Sequence, residues 1–200
     1  MPQPLIALLL VALPASPAAL PWHYDKIEDG IRIEDRDVPG SPYKELRIST
    51  VSRHDLKSLC DAVFSKGNEK PEARFKKREV LRETATDRWT YEEVSVPIVR
   101  DRDYVMHVWL DQPPTQGRCE VSFQTEDDPS RPPVRGLVRI PTVRGHWSLV
   151  QLTGMVDVSY QVYSDPGGHL PPFLVRGGQR DAAVQFLKTI LARCDVPKAK

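Results

Sequence analysis

Two hundred residues with a formal net charge of +1 and 40% hydrophobic content suit one domain with a core of its own. The near-neutral balance gives no electrostatic case for nucleic acid, and the basic run Lys76-Lys77-Arg78 reads as a solvated strand end. Five histidines lie far apart without metal-ligand spacing, and no G-x-S-x-G elbow, P-loop or dinucleotide fingerprint occurs, so neither metal nor cofactor is expected.

Leu5 to Leu13 is an unbroken apolar run, too short for the roughly 20 residues that span a bilayer. Pro14-Ala15-Ser16-Pro17-Ala18-Ala19 follows, a helix-breaking stretch of small residues. This is the shape of a signal peptide over residues 1–18, although its first four residues carry no Lys or Arg. A buried N-terminal helix or a misplaced start codon is the alternative. With the signal the protein is exported, periplasmic or secreted, and begins near Ala19 or Leu20; without it the protein is cytoplasmic.

From Trp22 onward the chain reads as strands. Gly30 to Arg36 and Tyr43 to Val51 flank the turn Pro39-Gly40-Ser41 and predict a hairpin. Ser52-Arg53-His54-Asp55 has capping-box spacing. Behind it Leu56, Leu59, Cys60, Val63 and Phe64 recur at helical spacing, with an end near Lys66-Gly67-Asn68. Seven further strands are expected: 77–84, 88–96, 104–111, 118–125, 137–140, 146–152 and 156–163. Most of their connections are short and favour antiparallel neighbours. The connection Glu126 to Gly136 is the long one.

Period-two alternation assigns faces. Tyr104, Met106, Val108 and Leu110 form a uniformly apolar inward set, as do Cys119, Val121 and Phe123, and Val156, Val158, Tyr160 and Val162. The strand from Arg88 is ambiguous, with Trp89, Tyr91 and Glu93 against Thr90, Glu92, Val94 and Val96. Its aromatic face is read as inward, since buried aromatics supply the larger gain. Glu92 or Glu93 then either meets a ligand's polar group or lies on a solvated edge. Arg100, Asp101, Arg102 and Asp103 read as a structural pair network at a strand start rather than a site.

Asp165-Pro166-Gly167-Gly168 closes the last strand, and a long helix follows from Leu170 to Cys194, about 25 residues or roughly 37 Å. Prolines stand in its first turn, where a missing N–H costs nothing. Its second half carries an apolar stripe, Ala183, Leu187, Ile190 and Cys194; its first half presents Phe173, Leu174 and Gly177 on a displaced face. The Gly177-Gly178 pair between them costs about 1 kcal/mol per residue relative to Ala, and implies a bend or a gap beneath the helix.

Three pieces together resemble the START domains, the steroidogenic-acute-regulatory-related lipid-transfer family within the helix-grip superfamily. They are Trp22 with Asp29-Gly30-Ile31-Arg32-Ile33; Val96-Pro97 with Arg102-Asp103-Tyr104-Val105; and Asp165 to Pro171 with Phe173-Leu174-Val175. The match runs from Trp22 to Cys194, while the family's additional N-terminal helix is replaced by the signal-like segment. The resemblance implies an α+β helix-grip fold over residues 20–197, a curved antiparallel sheet wrapped around the C-terminal helix with an internal cavity. It also implies that Asp127 to Gly136 is a mobile loop at the tunnel mouth. In such folds the short helices support the far end of the long one. A Cys60–Cys194 disulfide is therefore weighed against two ordinary buried cysteines, with Cys119 a free thiol in the sheet.

The function this implies is binding, and possible transfer, of one lipid or sterol-like ligand, with a transient membrane contact and a monomeric state. The candidate ligand-lining residues are Trp89, Tyr91, Tyr104, Met106, Val108, Phe123, Trp147, Tyr160, Phe173 and Gly177. No catalytic residue is assigned. The alternatives are a polyketide cyclase or aromatase on the same grip, which would need inward acid–base groups, and a ligand-free interaction module.

Overall fold

The computed structural model describes residues 20–64, 75–95, 99–168 and 170–195. The signal-like segment, the helix end at Lys66-Gly67-Asn68, Val96-Pro97, His169 and the last residues of the proposed domain lie outside them. Ten strands and two helices are described: β1 (His23–Glu28), β2 (Ile31–Arg36), β3 (Glu45–Ser52), α1 (Leu56–Val63), β4 (Phe75–Glu83), β5 (Asp87–Val94), β6 (Arg102–Thr115), β7 (Arg118–Thr125), β8 (Val138–Arg139), β9 (Thr142–Leu152), β10 (Met155–Asp165) and α2 (Pro172–Cys194).

The strands form one open sheet in the order β1-β2-β3-β10-β9-β7-β6-β5-β4, with every neighbouring pair antiparallel. The short β8 pairs parallel to the start of β6. The sheet curves around the helices. Its inner face is the one that alternation marks as apolar: Ile31, Ile33, Leu46, Ile48, Val121, Leu149, Val156 and Val158 are all buried there. Against them pack Leu56, Leu59 and Cys60 of α1 and Ala183, Val184, Leu187 and Ile190 of α2.

Local chemistry explains the punctuation. The capping residue of α1 is Asp55, not Ser52: its Oδ1 accepts from Ser58 N at 2.8 Å. Ser52 ends β3 and its hydroxyl accepts from His54 N instead. The β6–β7 connection is tighter than the run of prolines suggests. Pro113 and Pro114 stay within β6, and the chain reverses at Gln116-Gly117, both at positive φ, as a two-residue hairpin turn demands.

Of three expectations, two are overturned. First, the disulfide joins Cys60 to Cys119, with Cα atoms 6.1 Å apart, so Cys119 is not a free thiol. Helix α1 lies across β7, bringing Cys60 over Cys119, while the Cys194 Sγ points to the Ser58 and Ile190 carbonyls. Second, the long connection, expected at a tunnel mouth, is placed by its contacts. It folds against the outer face of β4–β6, where Arg131 pairs with Glu79 and stands over Tyr91, Asp128 meets Arg82, and the following Arg139 grips Asp103 through two hydrogen bonds. Third, the start of α2 turns Val175 inward, against Tyr43 and Tyr163, and leaves Phe173 and Leu174 in solvent.

Candidate functional site

The helices cover the inner face unequally. Helix α2 packs on β3 and β10, and α1 on β6, β7 and β9; neither packs extensively on β4 or β5. Beneath α2 lies an aromatic floor. Trp147 and Tyr160 stack at 4.3 Å, Phe123 lies 5.9 Å from Tyr160, and Phe186 of α2 meets Trp147 and Tyr160 edge-on. Gly145 makes this floor possible: a Cβ there would stand 2.2 Å from both the Gln161 carbonyl and the Phe123 ring. Sequence reading missed it, since its role depends on a ring brought across from β7.

Toward β5 the floor continues as Val108, paired with Phe123, then Met106 and Leu110, all only partly buried. It ends in a polar cluster. The Glu92 carboxylate accepts from Tyr104 Oη at 2.6 Å, from Arg78 Nε at 2.8 Å and from Thr90 Oγ1 at 3.2 Å. Glu92, Thr90 and Tyr104 are all buried. Buried charge is tolerated because it is paired and hydrogen-bonded. Of the two acids left open by the sequence, Glu92 faces inward. Arg78, read as part of a solvated strand end, turns inward to pair with it.

The β5–β6 register decides the remaining candidates. Thr90 pairs with Met106 and Glu92 with Tyr104, so these share the inner face, whereas Trp89 pairs with His107 and Tyr91 with Val105. Trp89 and Tyr91 therefore point outward, opposite to the expectation. Their burial comes from elsewhere. Trp89 is held between Arg82 and His107, with its indole N–H donated to Glu126, and Tyr91 lies under Arg131. The Tyr91 hydroxyl is pushed up in pKa by burial and by the charges of Asp103 and Glu93, so it stays a donor. Phe173 and Gly177 also miss the inner face: both are exposed, and nothing lies within 4 Å of where a Gly177 or Gly178 Cβ would be. Tyr104, Met106, Val108, Phe123, Trp147 and Tyr160 remain, brought together on one surface.

A separate cleft of about 260 Å³ opens beside the first turns of α2, between Tyr43, Lys44 and Leu46 and Pro172, Phe173 and Arg176. Among the described residues no group of His, Cys, Asp and Glu is arranged to hold a metal.

The structure is similar to that of the STAR-related lipid transfer protein (fragment 25–204) of Xanthomonas axonopodis. The TM-score is 0.76 at 26% identity, covering 88% of this chain and 99% of that one. This is a START-type helix-grip fold. Human StAR-related lipid transfer protein 5 superposes with a TM-score of 0.72 at 17% identity over 90% of this chain and 88% of its own. The Zhui aromatase/cyclase of a Streptomyces species shares the architecture more loosely, with a TM-score of 0.51 at 13% identity over 76% and 93% of the two chains. In sequence, an uncharacterized protein of Pseudomonas aeruginosa is 29% identical over 179 residues, 84% of this chain and 83% of that one. No protein-family model matches the chain.

The segments that carried the START resemblance have structural work. Trp22 lies between the guanidinium groups of Arg36 and Arg47, at 4.3 and 4.5 Å. Arg102, buried, donates to the Pro166 carbonyl at 3.3 Å, so the second START segment fastens the third. The Arg100–Asp103 stretch is thus the structural pair network its charges suggested, with Asp103 held by Arg139 and Asp101 by Lys76.

Proposed function

We propose that this chain binds one lipid or sterol-like molecule between the inner face of its sheet and α2, and passes it between membranes. The observation that carries this reading is the continuous apolar floor of the inner face that ends in the Glu92 cluster. There Met106, Val108 and Leu110, only partly buried although α1 packs on β6, continue the floor of Phe123, Trp147 and Tyr160 toward β5, on which neither described helix packs extensively. An apolar ligand covering that floor gains about 0.8 kcal/mol per buried CH₂ before ordering costs. The Glu92–Arg78–Tyr104 cluster gives the ligand's polar end both an acceptor and donors, so an amphiphile with one hydroxyl or small head group suits the site better than a pure hydrocarbon. The similar Xanthomonas protein, named as a STAR-related lipid transfer protein, supports the same reading. Export is part of the proposal: the Leu5–Leu13 run and the Cys60–Cys119 disulfide both suit an oxidising compartment.

Native mass spectrometry of protein purified from its own host should show one co-purified apolar ligand. In a fluorescent-lipid displacement assay, Val108→Trp should abolish uptake while Gly177→Leu, exposed on α2, leaves it intact. A wild type that takes up no lipid, or a Val108→Trp variant that takes it up equally well, overturns the reading.

A second reading, an enzyme folding a polyketide-like chain, is favoured by the 2.6 Å contact of Tyr104 with Glu92 at the end of the apolar floor, an acid–base pair in reach of a bound molecule. Conversion of the bound ligand by the wild type, lost in Glu92→Gln with uptake retained, would establish it.

A further inference from the structure

We propose that the ligand held on the inner face carries an anionic head group of single charge, such as a carboxylate, and that Arg102 receives it. This deepens the carrier reading and rests on it. Six charged side chains are buried among the described residues: Glu34, Asp35, Glu45, Glu92, Arg102 and Asp103. Five of them meet opposite charges, Glu92 through Arg78, Asp103 through Arg139, and the other three through two cations each. Arg102, only 2% exposed, forms no salt bridge among the described residues.

Its hydrogen bonds go to neutral groups. Nε donates to the Pro166 carbonyl at 3.3 Å and Nη1 to the Arg100 carbonyl, and neither bond uses Nη2. The acids around it are engaged elsewhere. Asp101 meets Lys76, Asp103 turns outward to Arg139, and Asp165 accepts from Gly167 N at 2.9 Å. Burial and the neighbouring Arg100 charge hold the Arg102 pKa below the usual arginine range, outweighing Asp101 and Tyr43. A guanidinium still keeps its proton in a protein, so this burial is not relieved by neutralisation. A cation in such surroundings favours an anionic partner over a neutral one.

The strand register puts this charge at the end of the apolar floor. Arg102 pairs with Val94 and Tyr104 with Glu92, with no shift of register between them, so Arg102 shares the inner face with Tyr104, Met106 and Val108. Two residues along a strand place it roughly 7 Å beyond Tyr104. The inner row of β6 therefore runs from aliphatic side chains through a phenol to a guanidinium, the order of polarity along an amphiphile. Arg78 offsets the charge of Glu92 at 2.8 Å, and Tyr104 gives its hydroxyl proton to the same carboxylate. One positive charge is left over at this end. It matches a carboxylate better than a phosphate monoester, which carries nearly two negative charges at neutral pH.

The test is equilibrium dialysis of the delipidated full chain, at neutral pH, against radiolabelled dodecanoate, dodecanol, dodecyl phosphate and inorganic phosphate. Wild type should bind dodecanoate at least about tenfold more tightly than dodecanol, and no less tightly than dodecyl phosphate. Inorganic phosphate should not bind. Arg102→Gln should erase the preference for dodecanoate over dodecanol, and Arg102→Lys should keep part of it, with circular dichroism showing that each variant is folded. If Arg102→Gln does not fold, the wild-type comparison decides alone. Dodecanol bound as tightly as dodecanoate overturns the proposal and leaves the carrier reading standing. Failure of both to bind overturns the two together. A folded Arg102→Gln that keeps the full preference removes Arg102 as the receiving group. Tighter binding of dodecyl phosphate, or any binding of inorganic phosphate, overturns the singly charged head group.

Discussion

Arg176 on α2 donates to the Asp35 carboxylate at 2.8 Å, joining residues 141 positions apart. The same carboxylate accepts from Lys44 at 2.7 Å. Farther along one side of the helix, Arg180 meets Asp25 at 2.6 Å and Lys188 meets Asp29 at 2.8 Å. The helix covering the aromatic floor is thus held along its length to the edge of the sheet by ion pairs as well as by its apolar stripe. Asp35 is the buried member. Asp35→Asn should lower unfolding stability by about 2 kcal/mol, since two cations lose their partner at a buried position. Urea titration measures this, and ligand exchange in the variant should be faster than in wild type.

These pairs set the acid limb of stability. The Arg47 hydrogen bond holds the Glu34 carboxyl below its usual range against a burial cost, with Arg32 adding to it. For Asp35, burial raises the carboxyl, but the hydrogen bonds from Lys44 and Arg176 outweigh it and hold it low. A carboxyl depressed in the folded state adds stability above its unfolded value, near 4, and loses it as pH falls through the folded value. Stability from these groups should be flat from neutrality to about pH 5 and fall below about pH 4. Urea midpoints across this range check it. Asp35→Asn should flatten part of the slope, and a midpoint that rises on acidification would contradict the assignment.

The Cys60–Cys119 bridge links residues 59 positions apart. In the chain-entropy account such a loop is worth about 4 kcal/mol. Thiol titration of the denatured, unreduced protein should find one thiol, Cys194; three would disprove the bridge. Reduction should lower the thermal midpoint of the wild type and leave Cys60→Ala/Cys119→Ala unaffected.

Two glycine positions should behave oppositely. Gly177→Ala and Gly178→Ala meet open space in a helix, and each should raise stability by up to about 1 kcal/mol. Gly145→Ala puts a methyl against the Gln161 carbonyl and the Phe123 ring, and should cost about 3 kcal/mol or more and displace that ring. Denaturant unfolding of the three variants, with near-ultraviolet circular dichroism for Gly145→Ala, separates the cases.

The strands other than β1, the helix under Leu59 and the long terminal helix were legible because alternation and helical periodicity are local; β1, His23–Glu28, is exposed along its whole length and carries no apolar alternation to read. The inner face of β6, β7 and β10 was legible for the same reason: one of the two sets in each strand is plainly apolar. β5 was not, because Trp89 and Tyr91 find their cover in Arg82, His107 and Arg131, which come from β4, β6 and the long connection. An aromatic set reads as inward until something is known to lie over the other side. The cysteine pairing failed similarly: all three cysteines sit at apolar positions, and which two meet depends on where α1 crosses the sheet. Phe173 and Leu174 look like core residues by composition, and their exposure follows from the rotation of the first turn of α2, which sets Val175 rather than them against Tyr43 and Tyr163.

The strand order carries a consequence for how the chain is made. β3 finds its second partner in β10, roughly a hundred residues later, so the N-terminal three strands keep an open edge until the final hairpin has emerged. Pairings so distant in sequence are slow to form. A chain released N-terminus first, from a ribosome or through a translocation channel, cannot close this sheet until almost its whole length is free. It must spend that interval with its first strands bare, which makes it a natural client for a holding chaperone on whichever side of the membrane it folds.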